Sequence, residues 1–169
     1  MIELGHVYEI PPEPYVEAST YFIQAGPVRI GLEYRAINNA TLEDSFSNNA
    51  GHALALKELL DGRSVTDRGT SLHVCASDDG HEYLRFDCFD ETPHYHYNHK
   101  VAVGEAPRNH VVLFDRAACG DMFEWAIDRI AYYLPAMLTQ AGAVNLAQEL
   151  DKAALIDAAS QLRTLARSE

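Results

Sequence analysis

The residues best suited to chemistry lie in one short segment of the chain, His94-Tyr95-His96-Tyr97-Asn98-His99. Alternate side chains of an extended strand point to the same face and lie roughly 6.6 Å apart, so His94 and His96 project together. Tyr95 and Tyr97 project from the other face. Two imidazoles on one face can bind one metal ion at Zn–N distances of roughly 2.0–2.1 Å. The spacing therefore predicts His94 and His96 as ligands of a divalent metal ion, zinc or iron.

The third ligand has several candidates. His99 has the wrong parity for a straight strand, but Asn98 lies where a turn would bring it round, and His99 is therefore the predicted third ligand. A carboxylate just upstream is the alternative, either as a ligand or as a group that orients one; these carboxylates are Asp87, Asp90 and Glu91. His73 and His110 are further alternatives. A shared site is favoured because most of the histidines lie close together in sequence, namely His73, His81, His94, His96 and His99.

The chemistry expected of such a site is that of a metal-bound water, because a divalent ion lowers the pKa of its water toward neutral pH. Arg85 is predicted to hold an anionic substrate group such as a carboxylate. Asp87 and Glu91 are the other predicted catalytic residues. Two alternatives remain open: a strand in which the aromatic rings pack and the imidazoles form ordinary hydrogen bonds, and acid–base catalysis by a histidine without metal.

Other catalytic patterns are absent from the sequence. It contains no G-x-G-x-x-G, no P-loop, no H-E-x-x-H and no G-x-S-x-G. The three cysteines, Cys75, Cys88 and Cys119, are an odd number without a C-x-x-C, so we expect small buried hydrophobic side chains rather than disulfides. A nucleophilic Cys119 near a helix start is an alternative, but no histidine is identifiable as its partner.

The strands that must position this segment come from two predicted hairpins. In the first, Tyr21–Ala25 and an alternating strand from Val28 to Arg35 flank Gly26-Pro27. In the second, Ser71–Ser77 and His81–Phe89 flank the loop Asp78-Asp79-Gly80.

A three-residue loop ending in glycine suits a type I turn followed by a left-handed residue. It pairs Val74 with Leu84 and places polar side chains together on the other face, which is either solvated or the wall of a pocket: His73, Cys75, Tyr83, Arg85 and Asp87.

The remaining elements complete one predicted α+β domain over residues 1–169, with an antiparallel sheet built from hairpins and covered by two C-terminal helices. An extended proline-rich arm reaches about Pro14, and a short helix covers roughly 51–60. Asn109–Phe114 reads as a fully buried strand. The two C-terminal helices are predicted at Asp121–Ala141, with a kink before Pro135, and from Asn145 to about Ala166.

The charge balance restricts the partners. The 169 residues carry a formal net charge of -12, which disfavours binding to nucleic acid or to anionic membranes. No apolar run approaches the roughly 20 residues of a membrane span, and the first residues do not resemble a signal peptide. We therefore expect a cytoplasmic protein.

Two functions from different classes follow. The first is a small metal-dependent enzyme, or a metal-binding protein, that acts on a small-molecule ligand. The alternative is an acidic, non-catalytic binding or regulatory module of the immunity, inhibitor or accessory-subunit type, because strong negative charge attracts basic partners. The first C-terminal helix is apolar over more than one face, which predicts a homodimer.

Overall fold

The structure is a computed structural model that describes residues 5–168. An antiparallel sheet forms the centre of the molecule. Within these residues seven strands pair in the spatial order β1-β7-β6-β5-β4-β3-β2, so β2 to β7 are neighbours in sequence order and β1 lies at the edge beside β7. The strands are β1 His6–Tyr8, β2 Tyr21–Ala25, β3 Val28–Asn38, β4 Thr66–Ala76, β5 Glu82–Phe89, β6 His94–His99 and β7 Arg108–Leu113. With its helices this is an α+β fold, as the sequence predicts.

The pairing of β4 with β5 sets which side chains share a face. Leu72 lies opposite Phe86 and Val74 opposite Leu84, and all four are buried. Gly80 in the connecting loop has a φ of +76°, a left-handed conformation that glycine adopts without a steric penalty.

A β-bulge follows at the end of this pairing. The register shifts between Val74 and Cys75, so that Cys75 lies opposite Glu82. Glu82 therefore faces the polar side, where it contacts His73 and Arg85, while Tyr83 packs against the apolar core. The expected position of Tyr83 on the polar face is wrong for this reason.

The helices are more numerous than the sequence predicts. Their bounds are α1 Asn39–Ser45, α2 Ala50–Leu60, α3 Arg116–Cys119, α4 Met122–Asp128, α5 Leu134–Gln140, α6 Val144–Gln148 and α7 Lys152–Ala166. A π-helical turn, Arg129–Tyr133, joins α4 to α5 directly before Pro135. Proline has no N–H to donate to the preceding turn, and a wider turn accommodates this loss. The C-terminal part thus consists of several helical segments rather than two helices.

Capping explains where three of these helices begin. Asn38 accepts a hydrogen bond from the Thr41 N–H at 3.0 Å and starts α1, in a stretch where the sequence had indicated only turns. Asp121 caps α4 as predicted, by accepting from Glu124 N–H at 2.9 Å. The last helix begins after Asp151, whose carboxylate caps it, and not at Asn145.

The two faces of the sheet differ in chemistry. One face is apolar and packs against the helices that follow β7; its buried residues include Ile30, Leu32, Leu72, Val74, Leu84, Phe86 and Tyr97. The opposite face carries polar side chains that are nevertheless buried: Glu33, Arg35, Ser71, His73, Arg85, Asp87, His96 and Asn109. Of the two possibilities for this face, solvated surface or pocket wall, the burial agrees with the pocket wall.

The N-terminal arm crosses the polar face. The carbonyl of Glu13 accepts a hydrogen bond from Arg85 Nη1 at 2.6 Å, and the Val16 N–H donates to Glu33 at 3.1 Å. Ile10, which is part of this arm, is buried. These contacts attach the arm to β3 and β5.

Strand β7 is less buried than expected. Within Arg108–Leu113 only Asn109 is buried and Leu113 is mostly exposed, and the edge strand β1 pairs with three residues of β7. In the described part of the chain, no helix combines the length and the hydropathy that crossing a membrane requires.

Candidate metal centre

Asp87, His94 and His96 form a compact group on the polar face of the sheet. Strands β5 and β6 pair with Asp87 opposite His94, and His96 follows two residues later on the same face. Asp87 Oδ2 lies 3.3 Å from His94 Nε2 and 3.0 Å from His96 Nε2. One possible ligand atom from each of the three residues lies within 4.8 Å of the others. Two atoms bound to one ion at roughly 2.0–2.1 Å are about 2.9–3.4 Å apart, so the group could hold a metal ion.

The ring of His94 is oriented by the backbone. Its Nδ1 lies 2.7 Å from the carbonyl oxygen of Thr92, which can only accept, so Nδ1 carries the proton. The loop that presents this carbonyl is held by the buried carboxylate of Asp67, which accepts from the Glu91 N–H at 3.0 Å and from the Thr92 N–H at 2.8 Å. Nε2 of His94 is therefore directed at Asp87.

The ring of His96 is oriented by a side chain of the next strand. Its Nδ1 donates to Oδ1 of Asn109 at 2.8 Å, and both residues are buried. The other ring nitrogen, Nε2, faces Asp87. Both histidines thus donate one ring N–H to a fixed acceptor, an arrangement that is usual for histidines that bind metals.

The carboxyl group of Asp87 is ionised. Burial opposes its ionisation, but the hydrogen bonds to His94 and His96 outweigh burial and hold the pKa well below the usual range. Its other oxygen, Oδ1, accepts a short hydrogen bond from Ser71 and lies 4.0 Å from Arg35 Nη1. Asp87 therefore brings a negative charge to the group.

The pKa values of the two histidines are shifted in opposite directions. Burial lowers the pKa of His96, and the hydrogen bond to Asp87 only partly opposes this effect. For His94 the hydrogen bond to Asp87 outweighs burial, and its pKa is raised. The contact of His96 Nε2 with Asp87 Oδ2 at 3.0 Å is a hydrogen bond when Nε2 carries a proton. A cation bound between the two atoms would take the place of that proton.

The remaining predicted site residues lie elsewhere. His99 is at the other end of β6 and has the opposite parity, and its ring stacks edge-on with that of His110, 4.8 Å away. Glu91 is exposed, and its backbone N–H rather than its carboxylate takes part in the loop before His94.

Arg85 lies beside the group but is fully engaged. It is 2% exposed, its Nε and Nη2 donate to Glu82 at 2.8 and 2.6 Å, and its Nη1 donates to the Glu13 carbonyl. The structure thus gives Arg85 protein partners in the place of the substrate group that the sequence suggested.

The polar face holds more negative than positive groups around this centre. His73 is flanked by Glu82 at 2.6 Å and Glu33 at 3.2 Å. Arg35 is paired with Glu13 and lies 3.6 Å from Glu33. Four carboxylates and two guanidinium groups pair on this face, namely Glu13, Glu33, Glu82 and Asp87 with Arg35 and Arg85. The imidazole of His94, whose pKa is raised, adds a positive charge when it is protonated.

A cavity of about 590 Å³ lies over the group, between the sheet, the N-terminal arm and helices α1 and α2. His94, His96 and Asp87 line its polar end. The volume lies within the roughly 300–1,000 Å³ that is usual for small-molecule sites. A ligand in this cavity could therefore reach an ion held by the three residues.

Three supporting residues were missed by sequence reasoning: Asp67, Ser71 and Asn109. Ser71 lies opposite Asp87 in the pairing of β4 with β5, so the predicted hairpin register already contained this contact. Asn109 is brought to His96 by the pairing of β6 with β7 across residues 100–107, for which no short turn motif fixes the register. Asp67 acts through a loop, and no periodic pattern indicates such a contact.

The three cysteines take no part in the group. Cys75 is buried, and burial raises its pKa to about 12, so it remains a thiol. Burial raises the pKa of Cys88 as well. Cys119 is exposed, which corrects the expectation that all three are buried.

Comparison with known proteins gives a family but no activity. Neither the curated proteins nor the solved structures contain a match to this chain. The sequence profile of one family, described as a domain of unknown function (DUF7700), matches residues 22–166. This span includes Asp87, His94, His96 and Asn109, and it covers most of the chain. The protein therefore belongs to the DUF7700 family.

Proposed function

We propose that this protein binds a divalent transition-metal ion through Asp87, His94 and His96 and uses the ion in a reaction on a small molecule bound in the adjoining cavity. Three protein ligands leave coordination positions for a water and a substrate atom. A water bound there would be acidified by the ion, which makes hydroxide available near neutral pH. The protein's own residues would orient the ligands and keep bulk water from the apolar part of the cavity.

The observation that carries this proposal is the direction of the two imidazoles. Both Nδ1 atoms donate to fixed acceptors, the Thr92 carbonyl and Asn109, so both Nε2 atoms are left to face Asp87 Oδ2. Two ring nitrogens that face one carboxylate oxygen can share hydrogen bonds with it, or can bind one cation together with it.

The ligand set restricts the choice of ion. Two imidazoles and one carboxylate, without thiolate, suit Zn²⁺ and Fe²⁺ and are a poor match for Ca²⁺ or Mg²⁺, which prefer oxygen ligands. Two histidines and one carboxylate with open positions is also the arrangement that binds non-haem Fe²⁺. Zinc and iron thus stay the two proposed cofactors.

We expect metal-free protein to bind one Co²⁺ per chain, because Co²⁺ accepts the same ligands as zinc and iron and its visible absorption reports the number of ligands. Protein without a histidine tag is titrated with Co²⁺ and followed by absorption and by elemental analysis. Zn²⁺ added afterwards should displace the Co²⁺ and abolish the absorption. Binding below 0.1 ion per chain, with no visible band, would overturn the proposal.

The non-catalytic alternative has weaker support. His73 and His96 are buried and His94 is mostly buried on one face, which favours a shared site over histidines that only add to a polar surface. The absence of nucleic-acid and membrane partners and the cytoplasmic location remain predictions that follow from the charge and the sequence.

We also propose that the protein forms a homodimer through the helical segments that follow β7. Met122 and Leu138, which suggested a second apolar face, are buried within the chain, but Tyr132 is 56% and Tyr133 50% exposed. Light scattering at micromolar concentration should give twice the 18.8 kDa of one chain. Tyr132→Lys with Tyr133→Lys should then restore a single-chain mass, since buried unpaired ammonium groups oppose association. A wild-type mass of one chain would contradict the dimer.

A further inference from the structure

We infer that the ligand of the cavity is a molecule with an apolar body and one polar head group, which lies at the metal centre, and without a charged group at its other end. The inference deepens the proposed function and rests on it for the place of the head group. It concerns the substrate class: molecules with charged groups at both ends, such as nucleotides, sugar phosphates and dicarboxylates, are excluded.

The walls away from the metal centre are apolar. Helices α1 and α2, the N-terminal arm and the ends of the strands provide aliphatic and aromatic side chains, and the charged residues concentrate on the sheet side. Among these apolar lining residues are Ile10 and Pro12 on the arm, Leu42 on α1, and Leu56 and Leu59 on α2. Burial of a ligand's apolar surface against such walls stabilises it by roughly 25 cal/mol per Å².

The guanidinium groups that line the cavity are already occupied. Arg85 donates to Glu82 and to the Glu13 carbonyl, and Arg35 is paired with the Glu13 carboxylate. Arg63, at the exposed rim, donates to the carbonyls of Leu59 at 2.7 Å and Leu60 at 3.1 Å, where it caps the end of α2. A second anionic group inside the cavity would have to break a pair of Arg85 or Arg35, whereas at Arg63 it would lie at the exposed rim, where both charges stay in water.

Such a group would also lack another partner. The other charged groups lining the cavity are the carboxylates Glu13, Asp67 and Asp87, of which Asp67 already accepts from backbone N–H groups. An unpaired ion taken from water into an apolar surrounding loses its hydration without compensation, which costs several kcal/mol. Apart from Arg63 at the exposed rim, the metal centre is therefore the one place in the described cavity lining where an anionic head group finds a partner.

A pair of probes that differ only at the far end tests this inference. Octanohydroxamic acid and suberic acid monohydroxamate carry the same metal-binding head and the same chain length, but the second ends in a carboxylate. Both are titrated into the Co²⁺-loaded protein, and the visible absorption is followed. We expect the monohydroxamate of suberic acid to bind at least about 10-fold more weakly. Equal or tighter binding of this probe overturns the inference.

A second measurement needs no metal and separates the two proposals. N-Phenyl-1-naphthylamine, an uncharged apolar dye, should gain fluorescence with the metal-free protein. The gain should be lost in Leu59→Trp and in Thr66→Trp, which fill the cavity from its rim, and kept in Leu54→Trp, on the outer side of α2. Dye binding that survives both filling variants overturns the inference. Failure of Co²⁺ to bind overturns the proposed function, while the dye still decides whether the cavity takes apolar molecules.

Discussion

We expect His96→Ala to lower the affinity for Co²⁺ or Zn²⁺ by roughly 100–1,000-fold. Four-ligand zinc sites bind with apparent free energies of about 10–16 kcal/mol, which is about 2.5–4 kcal/mol for each ligand. His94→Ala and Asp87→Asn should cost a similar amount, since each also removes one ligand atom from the group. Competition titration against a chelator of known affinity measures the loss, and circular dichroism verifies that each variant is folded.

Two other variants distinguish a ligand from a neighbour. His99→Ala is the matched control, because His99 is on the same strand with the opposite parity, and we expect its affinity to stay within about 3-fold of the wild type. The affinity of Asn109→Ala for the ion should lie between those of His96→Ala and His99→Ala, with a loss of roughly 10–100-fold. The substitution releases the ring of His96 without removing a ligand. A loss in His99→Ala as large as in His96→Ala would refute this assignment of the ligands.

The part of the centre that was predictable from sequence is the part that depends on strand parity. His94 and His96 alternate within one strand, and the second hairpin's loop sets the register that brings Arg85 and Asp87 to the same face. Both predictions need only the alternation of side chains along a strand and the length of the loop in the second hairpin. The carboxylate of Asp87 was accordingly among the candidates for the third ligand.

What was not predictable depends on contacts between distant segments. The bulge at Cys75 replaces Tyr83 by Glu82 on the polar face, and a single extra residue in a strand leaves no signal in the hydrophobic pattern. Helices α1 and α2 and the arm cover the polar face. The arm is held there by buried ion pairs such as that of Glu13 with Arg35. Sequence periodicity indicates an amphipathic face, but it does not identify the segment that covers a polar one.

The helical part shows the same limit. The apolar spacing from Phe123 to Ala141 is continuous, so one kinked helix was expected. The structure has a continuous helical run from Met122 to Gln140, whose irregularity is the π turn before Pro135. The departure from the prediction is the last helix, which starts after Asp151 rather than at Asn145.

Arg85→Met destabilises the folded protein by about 3–5 kcal/mol, the usual result of removing one partner of a buried ion pair. Arg85 joins its own strand to the N-terminal arm, through Glu82 and the Glu13 carbonyl, and it is 2% exposed. Methionine fills a similar volume, so the loss measures the uncompensated carboxylate rather than a void. For a chain of this size the melting temperature should fall by roughly 6–20 °C.

Urea denaturation measures how much of this loss comes from the pairing of Arg85 with Glu82. The four proteins compared are the wild type, Arg85→Met, Glu82→Gln and the double variant. The double variant should be more stable than the sum of the single losses predicts, because it leaves no unpaired buried charge. Arg163→Met is the matched control. Its ion pair with Glu124 at 2.8 Å lies on the surface with Arg163 33% exposed, and its removal should cost less than about 1 kcal/mol. Strict additivity in the cycle would contradict a coupled buried pair.

The same pair makes the stability depend on pH in a defined window. Burial alone would raise the pKa of Glu82, but the charge of Arg85 and the hydrogen bond to His73 outweigh it and lower the pKa from 4.5 to about 2. A carboxyl group whose pKa is lower in the folded state stabilises the fold above its unfolded pKa, and this stability is lost as the pH falls toward the folded pKa. Without Arg85, burial of Glu82 is opposed only by His73, so the folded pKa of Glu82 is higher in Arg85→Met than in the wild type. The stability difference between the two proteins should therefore be constant above the folded pKa of the variant and shrink as the pH falls from there toward 2. Urea midpoints measured across that range would record the change, and a difference that stayed unchanged would show that Arg85 acts through packing rather than charge.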